Sequence, residues 1–241
     1  MKRAYEIIHE DDALVIVNKA AGVLTIPDRY HPEKFNLFTQ LNKQYGRAFV
    51  VHRLDKETSG ILVFARTEEA HKNLSQQFEN RTVRKAYFAI VEGELPQGEG
   101  KIDKPLAPHQ HHPERMVISA NGKPSLTTYK VLDRFRSYTA VEAEIHTGRT
   151  HQIRVHFQSI GHPLAVDAVY GKRNELFLSE FKRKNFTLGK GKEERPLIRR
   201  STLHAQRLSF VHPQSGKTVE FEAPLPKDLL ATLNQLRKWA T

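Results

Sequence analysis

The chain has 241 residues, no cysteine, 38 Lys and Arg against 27 Asp and Glu, and a formal net charge of +11. The missing cysteine excludes disulfides, thiol nucleophiles and thiolate metal sites, and fits a reducing cytoplasm. No apolar run is long enough to cross a bilayer and the first residues lack the apolar core of a signal peptide. The positive excess favours a polyanionic partner, nucleic acid ahead of an acidic membrane surface.

In chain order, Leu14-Val15-Ile16-Val17 predicts a buried strand that runs into a turn around Gly22. Leu37, Phe38 and Leu41 predict a short helix, and Ile61 to Ala65 is an apolar run of strand length. Thr67 is placed to cap a helix with Glu68 and Glu69 in its first turn and Ala70, Leu74 and Phe78 on one face. Lys85 to Val91 is rich in β-formers and stops at Gly93, and Tyr138 to Ile145 alternates, with Val141, Ala143 and Ile145 facing one way. Thr150 to Ile160 predicts a helix with Thr150 as N-cap, Gly161 at C′ and Pro163 just beyond; Ile153, Phe157 and Ile160 face inward, while His151 and Arg154 share another face. A last helix starts near Pro226 with Leu229, Leu233 and Leu236 inward. Strands and helices mix without a βαβ rhythm, so the expected class is α+β. Residues 94–127 and 171–200 read as long excursions from this frame, a place where function often sits. The second holds ten Lys and Arg and four Glu, or +6 of the net charge. It is either a solvated surface insertion or, with an RNA partner, a phosphate-contacting segment.

The most unusual stretch is His52-Arg53-Leu54-Asp55-Lys56-Glu57-Thr58-Ser59-Gly60, a polar turn that ends in glycine and leads straight into a buried strand. A carboxylate there is held by a rigid element yet open to a cleft, and the flanking Arg53 and Lys56 favour its ionised form, which can act as nucleophile or base. Composition alone leaves Asp55 as a turn former, since aspartate is common in turns.

The longer pattern is more specific. His52 to Thr67 resembles the catalytic motif of the RluA-type RNA pseudouridine synthases, HRLD, two residues, TSG and an apolar strand. Val17 to Gly22 resembles that family's NKPAG segment, Lys85-Ala86-Tyr87 its K-x-Y strand, and Thr147 to His156 its TGRTHQIRVH motif. Gly161 to Gly171 and Leu203 to Pro213 follow in the family's order, so the likeness covers nearly the whole chain. It departs at Ala20, where proline is usual, and at Ala165-Val166 before Asp167, where a small residue is lost.

The resemblance implies one catalytic domain over residues 1–241, built on a mixed, mainly antiparallel central sheet with helices and loops around an active-site cleft, and with no separate RNA-binding domain. It implies that uridine in tRNA or ribosomal RNA, in a stem-loop, is isomerised to pseudouridine without any cofactor. Asp55 becomes the essential carboxylate, with three roles open to it: attack at C1′, attack at C6, or removal of the 2′ proton. Tyr87 packs against the target base and helps move its proton, and Arg154 pairs with the catalytic aspartate. His52 and Arg53 engage RNA and flip the nucleotide, Arg149 sits at a helix start suited to phosphate, and Leu208 supplies an apolar pocket wall. A monomer is expected.

Metal ligation by His109, His111 and His112 is disfavoured, because that loop lacks carboxylates at ligand spacing, and His146, His151 and His156 recur at a period that suits neither helix nor strand. A metal-dependent hydrolase is thus a weaker reading. The remaining alternative is an RNA-binding module of the same fold that has lost catalysis.

Overall fold

Short apolar runs bounded by polar turns become strands, and the capped amphipathic runs become helices. The computed structural model describes residues 3–112, 114–182, 186–188, 191 and 193–240. The elements in chain order are β1 (Tyr5–Glu10), β2 (Leu14–Lys19), α1 (Leu37–Tyr45), β3 (Phe49–Val50), β4 (Ser59–Ala65), α2 (Glu68–Glu79), β5 (Arg84–Glu92), β6 (Glu99–Asp103), β7 (Leu106–Pro108), β8 (Met116–Ile118), β9 (Leu126–Phe135), β10 (Tyr138–Ile145), α3 (Gln152–Ser159), β11 (Leu203–Val211), β12 (Thr218–Glu222) and α4 (Lys227–Trp239). The chain divides into two compact units, Met1–Tyr87 with His204–Pro224, and Phe88–Leu203 with Leu225–Thr241. Strand β5 begins in the first and ends in the second.

In the first unit the strands follow the order β1, β2, β4, β11, β5, with β3 added to β4 and β12 to β11. β1–β2, β2–β4, β3–β4 and β11–β12 pair antiparallel, while β11 lies parallel to β4. All seven residues of β4 are buried, as its unbroken apolar run requires. Thr67 caps α2, its hydroxyl oxygen accepting from the Ala70 amide at 3.1 Å. Ala70 and Leu74 are buried, and Phe78 uses its ring on His52 instead.

Gly60 explains why a glycine closes the polar turn. It pairs with Ala205 of the parallel neighbour at φ +120°, and a Cβ there would lie 2.1 Å from the Ala205 carbonyl oxygen. Both the backbone angle and the space forbid a side chain. Gly60→Ala is expected to lower stability by about 3 kcal/mol, read by urea unfolding.

The second unit orders β5, β10, β9 and β6, with antiparallel pairing of β9 to β10 and of β6 to β9, beside the β7–β8 hairpin. Helix α4 buries Leu229, Leu233 and Leu236, the three leucines expected to face inward, in a core with Phe88, Ile90, Tyr138 and Val166. Each buried leucine contributes roughly 2 kcal/mol. The architecture is thus α+β with mainly antiparallel pairing. Among the described residues, no helix is long and apolar enough to cross a membrane.

Three expectations change. Residues 94–127 contain β6, β7 and β8 and are therefore partly structured; these short strands carry polar residues such as Glu99, Lys101 and Asp103, which hid their pattern. Residues 171–200 are an excursion, but one tied down by a Leu176–Ile198 bridge and by burial of Leu176, Phe181 and Ile198. Thr150 does not cap α3. The helix starts at Gln152 after His151, which sits in the left-handed region at φ 55°, and the Arg149 amide is satisfied by the Gln152 side chain at 3.1 Å. Gly161 does follow the helix end, at φ +84°.

Candidate active site

The Asp55 turn belongs to the first unit and is held from three sides. Thr58 N–H donates to the Asp55 carbonyl at 3.1 Å, closing the turn itself. Thr25 Oγ1 donates to the Leu54 carbonyl (3.1 Å) and accepts from the Leu54 amide (3.3 Å). Lys19, fully buried at the end of β2, directs its ammonium to the carbonyls of Ala20 (3.0 Å), Val23 (2.8 Å) and Lys56 (3.1 Å). Gly22 N–H adds a further bond to the Lys56 carbonyl. The Val17–Gly22 segment is therefore the clamp of the Asp55 turn, and Lys19 is a positioning residue that motif matching left without a role. Ala20 also gains a reason: its amide donates to the Ala4 carbonyl at 2.9 Å, a bond proline cannot make.

Downstream, Ser59 Oγ lies 2.9 Å from His204 Nδ1, and His204 Nε2 lies 3.1 Å from the Ala223 carbonyl. The carbonyl requires a proton on Nε2, so Nδ1 accepts from the Ser59 hydroxyl. This pins the root of β4 to β11. Asp55 itself is partly exposed, and Arg53 beside it is exposed.

Tyr87 and Lys85 both lie on β5 and are buried. Burial first, and the charge of Asp55 second, push the Tyr87 hydroxyl well above its ordinary pKa. It therefore stays a neutral phenol that can donate or relay a proton. Burial, aided by the charge of Arg81, lowers the Lys85 ammonium pKa, and its Nζ sits 5.4 Å from the Phe78 ring centre. Leu208 is buried on β11, only 1 % exposed.

His52 is partly buried, stacked on Phe78 with ring centres 4.6 Å apart, and its Nε2 accepts from the Val63 amide at 3.2 Å. Burial, with the charge of Lys85 second, lowers its pKa to about 3. His52 is thus a neutral residue that fastens the turn to β4. A base whose folded pKa lies below its unfolded value of about 6.5 stabilises fully above that value and loses the contribution as pH falls towards about 3. Wild-type stability is expected to drop on the order of 2 kcal/mol between pH 6.5 and 4 from this group, allowing for its partial exposure. His52→Gln, which keeps an acceptor but does not titrate, should flatten that part of the profile in denaturant melts.

In the second unit the Thr147–His156 motif builds a buried polar network. Thr147 Oγ1 donates to Gln152 Oε1 (2.6 Å), and Gln152 Nε2 donates to the Leu126 carbonyl (2.9 Å) and Thr127 Oγ1 (3.0 Å). His156 contacts Thr127 Oγ1 through Nδ1 (2.9 Å) and the Lys104 carbonyl through Nε2 (3.0 Å). Gln152 and His156 therefore hold the helix start. Arg149 is half-buried beside it and directs Nε towards the Pro124 carbonyl at 3.4 Å.

Arg154 is 7 % exposed and makes a two-pronged pair with Asp167, Nε to Oδ2 at 2.7 Å and Nη2 to Oδ1 at 2.8 Å. Asp167 Oδ1 also accepts from the amides of Val169 (2.9 Å) and Tyr170 (3.0 Å). Burial pushes the Asp167 carboxyl up, but the hydrogen bonds and charge of Arg154, with those two amides, outweigh it and leave the pKa below the ordinary value. The guanidinium carbon lies 4.9 Å from the Tyr170 ring centre. Tyr170 Oη accepts from the Met116 amide (2.7 Å) and lies 2.8 Å from His151 Nδ1, so Tyr170 touches both His151 and Arg154, although His151 precedes the helix. Asp167 and Tyr170, part of a matched motif but given no role, are the residues that orient Arg154.

In the basic segment, Arg183, Lys184, Lys190 and Lys192 lie outside the described residues. Four of the others are occupied internally: Lys172 and Arg173 pair with Glu92, Arg199 with Glu175, and Arg200 with Asp228. Two carboxylates from outside the segment, Glu92 and Asp228, thus offset part of its excess.

A turn clamped around one carboxylate, with a neutral buried tyrosine in its field, is an arrangement able to exchange protons. A family model described as RNA pseudouridylate synthase matches residues 13–159. The chain belongs to that family. It is 41 % identical over 245 residues to the ribosomal large subunit pseudouridine synthase D of Neisseria meningitidis serogroup B, covering 97 % of this chain and 62 % of that protein. It thus spans less than two thirds of that relative's length. It is 37 % identical to the uncharacterized RNA pseudouridine synthase YlyB of Bacillus subtilis, over 97 % of this chain and 73 % of the other. Among solved structures, human RNA pseudouridylate synthase domain containing 4 superposes with a TM-score of 0.74 at 26 % identity, covering 96 % of this chain and 92 % of its own.

Proposed function

We propose that this chain isomerises uridine to pseudouridine in large-subunit ribosomal RNA, with Asp55 as the essential carboxylate. The observation that carries this reading is the Asp55 turn itself: an intact family motif whose backbone is clamped by Lys19, Thr25 and Thr58 and whose carboxylate acts on the Tyr87 hydroxyl. The choice of ribosomal RNA rests on the name of the Neisseria relative, and the net charge of +11 supports a polyanionic substrate.

The reaction breaks the N1–C1′ bond, turns the base and joins C5 to C1′. It needs no oxidant, and hydrogen lost from C5 is balanced by the proton gained at N1. In this reading Asp55 engages the nucleotide at the reacting sugar or base. Tyr87, kept neutral, relays a proton at the base. Arg154, oriented by Asp167, is in this reading the family arginine that pairs with the catalytic carboxylate and favours its ionised form. Exposed Arg53 and half-buried Arg149 engage the RNA backbone, His52 holds the turn, and Leu208 gives apolar support from β11. The enzyme acts as a monomer in the cytoplasm without cofactor or metal. The test is pseudouridine mapping of in vitro transcribed large-subunit ribosomal RNA after incubation with the purified chain. Discrete modified positions are expected; modification confined to transfer RNA would overturn the choice of substrate.

A further inference from the structure

The loop between β2 and α1 exposes aromatic residues that neither the core nor the Asp55 turn uses. Its ends are fixed. Leu24 and Asn36 form a bridge, and the amides of Leu37 and Phe38 donate to the carbonyls of Leu24 and Thr25, both at 3.0 Å. Thr25 in turn bonds Leu54, the residue before Asp55. The loop therefore rises from the immediate base of the Asp55 turn. Within it, Asp28 Oδ1 accepts from the amides of Tyr30 (2.9 Å) and His31 (3.0 Å), and Lys34 N–H donates to the His31 carbonyl. This local turn holds Tyr30 outward, 80 % exposed, with Phe35 at 50 %. Large apolar rings in water at such exposure gain nothing for the fold.

Their neighbours are charged. Arg29 lies 5.9 Å from the Tyr30 ring centre, and Lys34 precedes Phe35. The two carboxylates of the loop are engaged, Asp28 by backbone amides and Glu33 by His31 at 3.3 Å. Among the described residues, neither Arg29 nor Lys34 makes a salt bridge, although the charge of Lys34 helps to lower the Asp28 carboxyl pKa. Aromatic faces interleaved with available cations match single-stranded RNA, whose bases stack on rings while its phosphates take the cations. Extruding a target uridine unstacks its neighbours, which then need a surface.

We propose that Tyr30 and Phe35 form a stacking platform for unpaired bases flanking the target uridine, with Arg29 and Lys34 on their phosphates. The proposal rests on the RNA-modifying reading above. It is tested with decauridine RNA as binding probe and large-subunit ribosomal RNA as substrate. Tyr30→Ala and Phe35→Ala are each expected to weaken decauridine binding roughly tenfold and to raise KM with kcat unchanged. Tyr30→Trp should retain affinity, and its new indole emission should be quenched on binding, against wild type carrying Trp239 alone. If wild type makes pseudouridine while both alanine variants bind and turn over like it, or the added indole emission of Tyr30→Trp does not respond, the platform is overturned and the enzymatic reading survives. If wild type makes no pseudouridine, the enzymatic reading falls and the platform falls with it.

Discussion

Asp55→Asn is expected to fold like the wild type, bind RNA with unchanged affinity, and lose pseudouridine formation by on the order of a thousandfold or more. The reasoning is local. The turn is held through main-chain groups: the Asp55 carbonyl by Thr58, the Leu54 carbonyl and amide by Thr25, and the Lys56 carbonyl by Lys19 and Gly22. None of these bonds uses the Asp55 side chain, so an isosteric amide leaves these backbone bonds in place. It removes only the charge and the basic oxygen on which the chemistry depends. Matching melting curves alongside lost turnover would establish that the carboxylate reacts and does not merely shape the turn.

The second large effect concerns Asp167. Asp167→Ala leaves Arg154 buried without its two-pronged partner and frees the amides of Val169 and Tyr170. Breaking a buried pair from one side costs about 3–5 kcal/mol, because a buried charge loses its two-pronged partner. For a chain of this size that corresponds to a fall in Tm of roughly 10 °C. Replacing both partners by apolar residues, Arg154→Met with Asp167→Leu, should cost clearly less than Asp167→Leu alone, since no buried charge is then stranded. Activity should be lost in all three variants. The pH dependence has a defined sign: Asp167 has a lowered folded pKa, so its contribution is present above the ordinary carboxylate value and disappears as pH falls below it. An Asp167→Ala protein as stable as wild type would show that the pair does not hold α3 in place.

These two residues also mark what could be read from the chain alone. Asp55 was legible because its turn leads directly into β4, whose unbroken apolar run is readable as a strand, and because a long ordered motif surrounds it. The inward leucines of α4 are legible because they follow from local spacing, whereas the reason for the β4 glycine lies on a strand some 145 residues away, at Ala205. Asp167 was visible in a motif but had no stated task, because its partner lies 13 residues away and only tertiary folding brings the two together. The start of α3 is not legible as a threonine cap, because the helix begins after a left-handed His151 and the Gln152 side chain accepts instead from the Arg149 amide. The stacking of His52 on Phe78 and its bond to Val63 are contacts that no sequence period encodes. The strands of 94–127 escaped notice because β6 draws three of its five side chains from Glu99, Lys101 and Asp103 and shows no apolar alternation.

The most direct test of the central claim uses ribosomal RNA labelled with tritium at uracil C5. Joining C5 to C1′ expels that hydrogen to water, so each isomerisation releases one label. Wild-type protein, with no metal or cofactor added, should release label in step with pseudouridine formed, and Asp55→Asn should release none while still binding the RNA. Release by Asp55→Asn at the wild-type rate would contradict the account.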